Sequence, residues 1–317
     1  MPSKSLWWTT TTFFLFAGLL GLQSLQITDV TALHAPVSPV KVNFVPKRLP
    51  VVTGEWLKRL LPGGRVDEWG AVLDVQSSEG AIIINGLRVP TDELEYVIKR
   101  MGNTLHAVTP EGLLPLVVRS RHFYKLRGLE EPGPPTLEID GVHMHRIAGT
   151  DPWKDALSKV RNARVRSGHK VLDTCMGLGY TAIASLRRGA TVVTVEKDPN
   201  VIQLAEWNPW SWELVKAEIY NDDVSTFIKR VEDETFDRII HDPPVITMAG
   251  ELYSREFYEE LYRVLKRGGV LFHYTGSPKR RSGVDLARGV MERLREAGFE
   301  EVRRAPDALG VVARKSR

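Results

Sequence analysis

The chain has 317 residues, of which 43% are hydrophobic and 26% charged, and its formal net charge is +4. That length accommodates a full α/β core together with a second, smaller domain. The single cysteine, Cys175, excludes an intramolecular disulfide framework and any site built from several cysteines. This composition is typical of a reducing compartment, and we expect a cytoplasmic protein.

Residues 1–41 form an extension that we expect to lie outside the fold. Phe13–Leu22 is an apolar run of signal-peptide length, shorter than the ~20 residues of a membrane span. No convincing small-residue cleavage site follows it, so a signal or anchor competes with an extension read from an upstream start codon. We favour the extension, with the natural start near Val40 or Val42, and expect no stable membrane association.

Basic residues gather in runs, which fits a polyanionic partner such as RNA. Solvated helix faces and loops are an equally good interpretation, because residues that cluster in sequence need not cluster in space. The runs are Arg119–Arg127, Lys159–Lys170 and Lys279–Arg281.

Residues 42–135 predict a small β-rich domain. Short β-branched runs and turn residues alternate there, and Gly128–Pro135 has the Gly, Pro and Glu content of a linker. The predicted strands are Ala71–Val75, Ala81–Asn85 and Leu113–Val118, and the predicted helices are Gly54–Leu61 and Thr91–Met101. Asp140-Gly141 then predicts a hairpin at the start of the next domain.

Residues 136–317 predict a Rossmann-like α/β domain, because short apolar strands alternate with amphipathic helices from Asp151 onward. The predicted strands are Lys170–Asp173, Thr191–Glu196, Ala217–Asn221, Phe236–His241 and Gly269–Tyr274. The predicted helices are Tyr180–Arg188, Val201–Trp207, Val224–Val231, Ser254–Lys266 and Val284–Ala297. Glu301–Arg304 and Leu309–Ala313 lie too close together for a helical crossover, so an antiparallel hairpin should complete the doubly wound sheet.

A glycine-rich segment, Val171-Leu-Asp-Thr-Cys-Met-Gly-Leu-Gly179, follows the first of these strands and opens a helix. Gly177 and Gly179 allow the backbone to turn tightly under a ligand. Asp173 stands at the strand end, where it would repel a pyrophosphate but attract a cationic ligand. The amino group of S-adenosylmethionine is such a cation, so the segment predicts a site for this cofactor.

Acids at the ends of the next two strands extend this prediction. Glu196 lies 17 residues beyond Gly179, close to the ~20-residue spacing at which a carboxylate binds ribose hydroxyls. Asp223 is the preferred acceptor for the adenine amino group, and Asp222 is the alternative. Each acid could instead be a helix N-cap, but together the strand ends carry their groups in the order in which a nucleoside would meet them.

This half of the chain resembles the class I S-adenosylmethionine-dependent methyltransferases, and Tyr262–Gly269 is similar to the signature before their fifth strand. From Gly133 onward it resembles, more narrowly, an uncharacterised archaeal methyltransferase family. The motifs that carry this second resemblance are Asp173–Thr181, Val195–Asn200, His241–Pro244 and Phe272–Gly276. The resemblance implies a methyltransferase but names no substrate.

Asp242 and Pro243 are the predicted catalytic residues, because Asp242-Pro-Pro244 follows the fourth strand, where ligands of open α/β sheets bind. The motif is similar to that of amino-directed methyltransferases, which implies that the Asp242 carboxylate and the Pro243 carbonyl accept protons from an exocyclic amine. Val245 stands where those enzymes place an aromatic residue, which leaves open whether the target is a base. An acid that caps a proline-stiffened turn is the alternative.

Several histidines near these motifs have two interpretations. His241, His273 and Tyr274 are candidates to line the reaction pocket, although His241 could equally be a buried strand residue. His143 and His145 share one face of a strand, but no third ligand accompanies them. No metal site is therefore predicted.

Two other functions stay open beside methyl transfer to an amino nitrogen. Leu137–Val142 and Glu251–Tyr258 are similar to segments of the spermidine synthase group, which transfers aminopropyl from decarboxylated S-adenosylmethionine. Those enzymes carry Gly-Gly-Gly-Asp-Gly at the first strand and paired aspartates in the loop after the fourth, whereas this chain has Asp173–Gly177 at the first strand and no second acid between Asp242 and Gly250. A non-catalytic nucleic-acid-binding protein is the third interpretation, which acids at three strand ends disfavour. RNA or a small amine-bearing molecule is the expected methyl acceptor.

Overall fold

The amino-terminal part of the described chain consists mainly of short strands. The computed structural model describes residues 39–60, 65–68, 71–276 and 285–317, with 59–60, 65–68 and 71–73 described by their backbone alone. The elements up to residue 143 are β1 (Val40–Lys41), β2 (Val51–Val52), α1 (Gly54–Leu60), β3 (Arg65–Glu68), β4 (Ala71–Ser78), β5 (Ala81–Ile84), β6 (Leu87–Pro90), α2 (Thr91–Arg100), β7 (His106–Thr109), β8 (Gly112–Pro115), β9 (Val117–Arg119), β10 (Phe123–Arg127), β11 (Thr136–Ile139) and β12 (Val142–His143). Within the described residues, all of these strands except β1 belong to three small sheets, ordered β3-β4-β5-β6, β2-β7-β8 and β12-β11-β10-β9.

The carboxyl-terminal part alternates strands with helices. Its elements are α3 (Pro152–Asn162), β13 (Lys170–Asp173), α4 (Tyr180–Leu186), β14 (Thr191–Glu196), α5 (Pro199–Trp207), β15 (Glu218–Asn221), α6 (Val224–Phe227), β16 (Phe236–His241), α7 (Arg255–Val264), β17 (Leu265–Tyr274), α8 (Leu286–Glu296), β18 (Glu300–Ala305) and β19 (Gly310–Arg314). Short 3-10 helices lie at Pro209–Lys216, Ile228–Arg230, Gly250–Tyr253 and Pro306–Ala308. The protein is therefore a mixed α/β protein, as the alternation predicted.

Side-chain caps explain where most helices of this part begin. A carboxylate or hydroxyl at the N-cap accepts a hydrogen bond from a backbone N–H of the first turn, which the helix itself leaves unpaired. The capping residues of α3, α5, α6, α7 and α8 are Asp151, Asp198, Asp223, Ser254 and Asp285. Asp223, the predicted adenine ligand, is thus also a helix cap.

In the described ranges, eight strands form the main sheet, in the order β1-β15-β14-β13-β16-β17-β19-β18. β13 pairs in parallel with β14 on one side and with β16 on the other. The winding direction reverses there, so a crevice opens beyond the carboxyl ends of β13 and β16, where open α/β sheets bind ligands. At the far edge β19 pairs antiparallel with both β17 and β18, which confirms the predicted final hairpin.

Apolar side chains cover both faces of the main sheet. Val171 and Ile240 pack in one cluster with residues of α3, α4 and α5, whereas Leu172 and Ile239 pack in another with residues of α7 and α8. Successive residues of a strand point to opposite faces, so a strand buried on both sides has a continuous apolar sequence. This packing fixes the carboxyl ends of β13, β14 and β16 in one row.

The helix α3 is absent from the sequence prediction. Its start is well marked, because Asp151 accepts a backbone hydrogen bond at 2.8 Å and Pro152 occupies the first turn. Its buried residues, however, include Asp155 and Lys159. Two charges on the buried face interrupt the apolar periodicity by which an amphipathic helix is recognised.

The expected domain boundaries differ from the structure in two places. Val40 and Lys41, which the sequence assigned to the extension, pair antiparallel with Asn221 and Tyr220 at the edge of the main sheet. The division expected between residues 135 and 136 falls inside a small sheet, since β10 pairs with β11 across it. Pro39–Arg317 form one compact unit.

The apolar and basic runs of the sequence lie partly outside the described residues. Phe13–Leu22 and Lys279–Arg281 fall there. Among the helices of the described ranges, none combines the length and the apolar character needed to cross a bilayer. Of the other basic runs, Lys125 pairs with Glu138 at 2.8 Å and Lys159 is buried, so these runs do not present all their charges to solvent.

Candidate functional site

A cavity of about 710 Å³, measured out to its open mouth, lies beyond the carboxyl ends of β13, β14 and β16. Its wall is formed by the β11–β12 hairpin, by α3, by the glycine segment after β13 and by the residues that follow β14 and β16. Its wall combines apolar side chains with a few polar groups, as is typical of sites for small ligands. The cavity lies at the sheet crevice, where the sequence predicts the cofactor.

Glu196 and the glycine segment form one side of this cavity. The Oε2 atom of Glu196 accepts a hydrogen bond from Gly177 N at 2.9 Å, and Oε1 accepts one from Asp198 N at 2.9 Å. Burial raises the pKa of Glu196 to about 7, although both backbone N–H groups oppose the rise. The carboxyl group is thus held in place on the wall, with lone pairs left for hydroxyl donors of a ligand.

The two predicted cofactor glycines are needed for different reasons. Both have left-handed φ angles, +55° at Gly177 and +78° at Gly179. A Cβ on Gly179 would lie 2.5 Å from Leu214 Cδ1, whereas a Cβ on Gly177 would have His145 Nε2, at 3.9 Å, as its one contact within 4 Å among described residues. Gly179 is therefore required by packing, and Gly177 leaves its backbone open to the cavity.

Alanine substitutions should separate these two roles. We expect Gly179→Ala to lower the free energy of unfolding by roughly 2 to 5 kcal/mol, because left-handed strain adds to a clash in the core. Gly177→Ala should cost about 1 to 2 kcal/mol, since only the backbone strain applies. Urea unfolding followed by tryptophan fluorescence measures both changes. Equal losses of stability would contradict the assignment.

Asp173 lies beneath the cavity and is not part of its wall. Its side chain is fully buried, and its oxygens accept hydrogen bonds from Thr181 Oγ1 at 2.8 Å and Thr194 Oγ1 at 2.6 Å. Burial raises the pKa of Asp173 to about 7, against the effect of these two hydroxyls. Asp173 therefore ties α4 and β14 to β13, and its contact with a cofactor stays a prediction.

The carboxylates after β15 are engaged in other contacts. Asp223 caps α6, where Oδ1 accepts a hydrogen bond from Ser225 N at 2.9 Å and Oδ2 pairs with Lys197 Nζ at 2.7 Å. Asp222 pairs with Arg230. Neither aspartate lines the cavity, so recognition of adenine by Asp223 stays a prediction.

A chain of buried charges forms another side of the cavity. Lys159 Nζ lies 2.6 Å from Asp242 Oδ2 and 2.8 Å from Asp155 Oδ2. Arg146 Nη1 in turn lies 3.4 Å from Asp155 Oδ1. The side chains of Lys159 and Asp155 are only 6% and 3% exposed. This charge chain consists of the acids Asp155 and Asp242 and the bases Lys159 and Arg146, so its net charge is zero when all four groups are ionised.

Lys159 is the cation that keeps this chain charged. Burial alone would lower the pKa of Lys159, but Asp242 and Asp155 outweigh burial and raise it above the usual range. Burial has the opposite effect on Asp242, whose pKa it raises, and Lys159 opposes that rise. The ammonium also lies 4.2 Å from the centre of the Tyr274 ring. Neither Asp155 nor Lys159 was predicted for the site, although their i, i+4 spacing behind a helix start could have indicated them.

Asp242 and Pro243 both line the cavity, as does Glu196. Tyr253 OH donates to the Pro244 carbonyl at 2.9 Å, which fixes the turn after β16. Lys159 donates a hydrogen bond to Oδ2 of Asp242, whereas Oδ1 accepts no hydrogen bond from the described residues. The structure thus brings the predicted catalytic pair and the predicted ribose ligand into one cavity.

The histidines of β16 and β17 are buried behind this cavity and do not line it. His241 Nδ1 lies 2.7 Å from Thr174 Oγ1, and Nε2 donates to the Leu252 carbonyl at 2.9 Å. Burial lowers the pKa of His241 to about 4. His273 Nε2 lies 2.8 Å from Tyr258 OH, and the two imidazole rings are 4.4 Å apart. Both histidines are therefore neutral strand residues of the core.

The two histidines near the β11–β12 hairpin have separate surroundings. His143 Nε2 lies 3.4 Å from Glu138 Oε2 on the neighbouring strand. His145 lines the cavity, where burial, with a smaller effect of Lys159, lowers its pKa to about 3. Across the described ranges, no group of three or more His, Cys, Asp or Glu side chains is placed to hold a metal ion.

Comparison with known proteins gives three kinds of similarity. The family model described as "Spermine/spermidine synthase domain" matches residues 177–299. The chain is 49% identical over 232 residues to "Uncharacterized protein MJ1233" of Methanocaldococcus jannaschii, which covers 72% of this chain and 79% of that protein. It is 29% identical over 144 residues to the polyamine aminopropyltransferase of Sulfurisphaera tokodaii, which covers 42% of this chain and 48% of that enzyme. The crystal structure of spermidine synthase from Thermotoga maritima is 18% identical and has a TM-score of 0.48, over 62% of this chain and 70% of that one.

These matches differ in how much of the site they cover. Residues 177–299 include Glu196, Asp242 and Pro243, but not α3 with Asp155 and Lys159. The similarity to the Methanocaldococcus jannaschii protein is higher and spans most of both chains. Residues 177–299 are therefore similar to the spermine/spermidine synthase domain, and the chain belongs to the same family as protein MJ1233.

Proposed function

We propose that this protein is an S-adenosylmethionine-dependent methyltransferase that acts on an amino nitrogen. One observation carries the proposal: a single cavity at the sheet crevice is lined by Glu196 and by the Asp242-Pro243 pair. A carboxylate at the end of the second parallel strand suits ribose hydroxyls. Two acceptor oxygens after the fourth strand suit an amine that bears protons.

The cavity fits the cofactor in its hydrogen-bonding groups and in its charge. Glu196 keeps acceptor capacity for ribose hydroxyls. The charged side chains of the wall are the acids Asp155, Glu196 and Asp242 and the base Lys159. Since Arg146 stands behind Asp155, one formal negative charge is left. S-adenosylmethionine carries one net positive charge, from its sulfonium, ammonium and carboxylate groups, and so complements this wall.

Asp242 and Pro243 would position the acceptor. The cofactor, when bound, supplies an electrophilic methyl group. Asp242 Oδ1 and the Pro243 carbonyl can accept hydrogen bonds from the two N–H groups of a neutral amine and so aim its lone pair at the methyl group. Lys159 holds Asp242 as the carboxylate, which is the form that accepts hydrogen bonds at both oxygens. Catalysis by this site is therefore mainly a matter of orientation.

Aminopropyl transfer from decarboxylated S-adenosylmethionine is the second candidate function. The match to the spermine/spermidine synthase domain and the identity to a polyamine aminopropyltransferase favour it. A polyamine acceptor carries several ammonium groups and needs carboxylates that no other cation has neutralised. Lys159 already pairs with two of the three acids of the wall, so the cavity supports aminopropyl transfer less well than methyl transfer.

The proposed acceptor is RNA or a small molecule with an amino group. Past the Asp-Pro-Pro turn the exposed residues Val245, Ile246 and Met248 follow. No aromatic side chain stands directly after the prolines to stack on a base. Transfer of label from methyl-labelled S-adenosylmethionine to an RNA fraction and to a small-amine fraction distinguishes the two acceptor classes.

Calorimetric titration of the full chain tests the proposed function. The ligands are S-adenosylmethionine, S-adenosylhomocysteine and decarboxylated S-adenosylmethionine, each in the same buffer. We expect tighter binding of the two ligands that bear a carboxylate. Glu196→Ala should weaken the binding of all three, because all three contain ribose, whereas the exposed acid variant Glu218→Ala should not. Preference for the decarboxylated ligand would reject methyl transfer in favour of aminopropyl transfer.

Cofactor binding should depend on pH through Glu196. Its pKa of about 7 means that the free protein carries this group partly protonated near neutrality. Ribose hydroxyls donate more strongly to the ionised carboxylate, so the affinity for S-adenosylhomocysteine should rise severalfold between about pH 6 and about pH 8. Glu196→Gln should bind more weakly and lose this dependence. A wild-type affinity that does not change over this range would contradict the assignment.

A further inference from the structure

His145 lines the cavity and has no part in the transfer proposed above. It follows β12, and its ring centre lies 5.1 Å from that of Tyr180. His145 Nδ1 lies 3.3 Å from Leu137 N and 3.1 Å from Thr136 Oγ1. Because a backbone N–H can only donate, Nδ1 is an acceptor, and we assign the proton of the neutral ring to Nε2.

The Nε2–H group of His145 faces the glycine segment. Nε2 lies 3.9 Å from the place where a Cβ on Gly177 would stand. Among the described residues, no acceptor contacts this nitrogen, whose ring is held by its Nδ1 contacts. The cavity therefore contains a fixed, neutral hydrogen-bond donor close to the backbone over which the cofactor would lie.

We propose that His145 Nε2–H, with Lys159 as the nearby cation, binds the α-carboxylate of S-adenosylmethionine and so disfavours the decarboxylated cofactor. This role of His145 rests on the proposed function and specifies how the site selects its cofactor. In the proposed function Glu196 binds the ribose, and Asp242 binds the acceptor amine. The α-carboxylate is the one anionic group of the cofactor, and a donor-only nitrogen cannot bind an ammonium group.

The decarboxylated cofactor is disfavoured because it leaves the His145 donor without the acceptor that the α-carboxylate supplies, which costs about as much as a lost hydrogen bond. It also lacks the negative charge that would face the ammonium group of Lys159 on the same wall. His145 thereby decides which group the enzyme can transfer, because the methyl and aminopropyl donors differ only in this carboxylate.

Two substitutions at His145 and two ligands test this role in the full chain. His145→Leu removes the donor, and His145→Gln keeps an amide N–H at a similar distance from the backbone. S-adenosylhomocysteine carries the carboxylate, whereas 5′-methylthioadenosine lacks the whole amino-acid portion. By calorimetry, His145→Leu should weaken S-adenosylhomocysteine about tenfold or more and leave 5′-methylthioadenosine within about twofold. His145→Gln should restore most of the affinity, and His143→Leu, the matched control, should change neither ligand.

Several outcomes would overturn the role of His145. Equal weakening of both ligands by His145→Leu would show a structural role, and unchanged binding of S-adenosylhomocysteine would show none. If the wild-type protein and His145→Leu prefer S-adenosylmethionine over the decarboxylated ligand by the same factor, the role of His145 is refuted. The methyltransferase proposal would then still stand. A wild-type protein that prefers the decarboxylated ligand would refute both.

Discussion

Replacing Asp242 with alanine is expected to abolish methyl transfer while cofactor binding stays nearly intact. Asp242 Oδ1 is an unused acceptor on the cavity wall, whereas Glu196 binds the glycine segment on another side. Loss of a group that orients the reacting amine typically costs about 10²-fold or more in rate. The affinity for S-adenosylhomocysteine should stay within about threefold, a difference below 1 kcal/mol. Label transfer from methyl-labelled S-adenosylmethionine and calorimetric titration measure the two effects.

A second aspartate of the same strand provides the control for Asp242. Asp237 lies near the start of β16, at the opposite end of the sheet, and pairs with Lys266 at 3.1 Å. Asp237→Ala should therefore keep its activity. Asp242→Asn keeps one acceptor oxygen and the shape, so its rate should lie between those of wild type and Asp242→Ala. Joint loss of transfer and cofactor binding in Asp242→Ala would assign Asp242 to the cofactor pocket or to the fold.

The central strands were the part of the fold that the sequence predicted best. Lys170–Asp173, Thr191–Glu196 and Phe236–His241 have the bounds predicted for them. Parallel strands that are buried on both faces have continuous β-branched and apolar sequences, and few other secondary structures have this sequence pattern. The amino-terminal strands were predicted less completely, because they are short and belong to small sheets.

The candidate site shows what an acid at a strand end can and cannot indicate. Topology alone brings Asp173, Glu196, Asp223 and Asp242 to one edge of the sheet. The direction of each side chain depends on its neighbours. Two threonine hydroxyls hold Asp173 beneath the cavity, and a backbone hydrogen bond at the start of α6 holds Asp223. A ligand and an N-cap need the same residue type at the same place, so the sequence could not separate the two roles.

Asp155 and Lys159 were missed for a different reason. Both side chains are charged and buried. Asp242, which compensates for the burial of Lys159 by pairing with it, is 83 residues away in the sequence. A prediction from local periodicity assigns a charged residue to the solvent-facing side of a helix. It contains no information about a neutralising contact with a residue that is distant in the sequence. In the sequence Lys159 belongs to a basic run, although its side chain lies on the wall of the cavity.

Lys159→Met should strongly destabilise the folded protein. Methionine fills a similar volume, but Asp155 and Asp242 would be left without their cation. Removing one partner of a buried ion pair typically costs about 3 to 5 kcal/mol. Urea unfolding near neutral pH measures the loss. Lys154→Met on the same helix is the control, because this side chain is 75% exposed and its pair with Asp151 should contribute at most about 1 kcal/mol.

The dependence of this loss on pH distinguishes lost charge from lost packing. Without Lys159, Asp242 loses the cation that opposes the effect of burial, so the pKa of Asp242 should rise further above its value in the unfolded chain. A carboxyl group with a raised folded pKa favours the folded state at low pH, and this contribution is lost as the pH rises through that pKa. The destabilisation by Lys159→Met should therefore shrink as the pH is lowered from about 8 towards about 5. A loss of the same size at every pH would instead mean that Lys159 stabilises the protein only through the packing of its aliphatic stem.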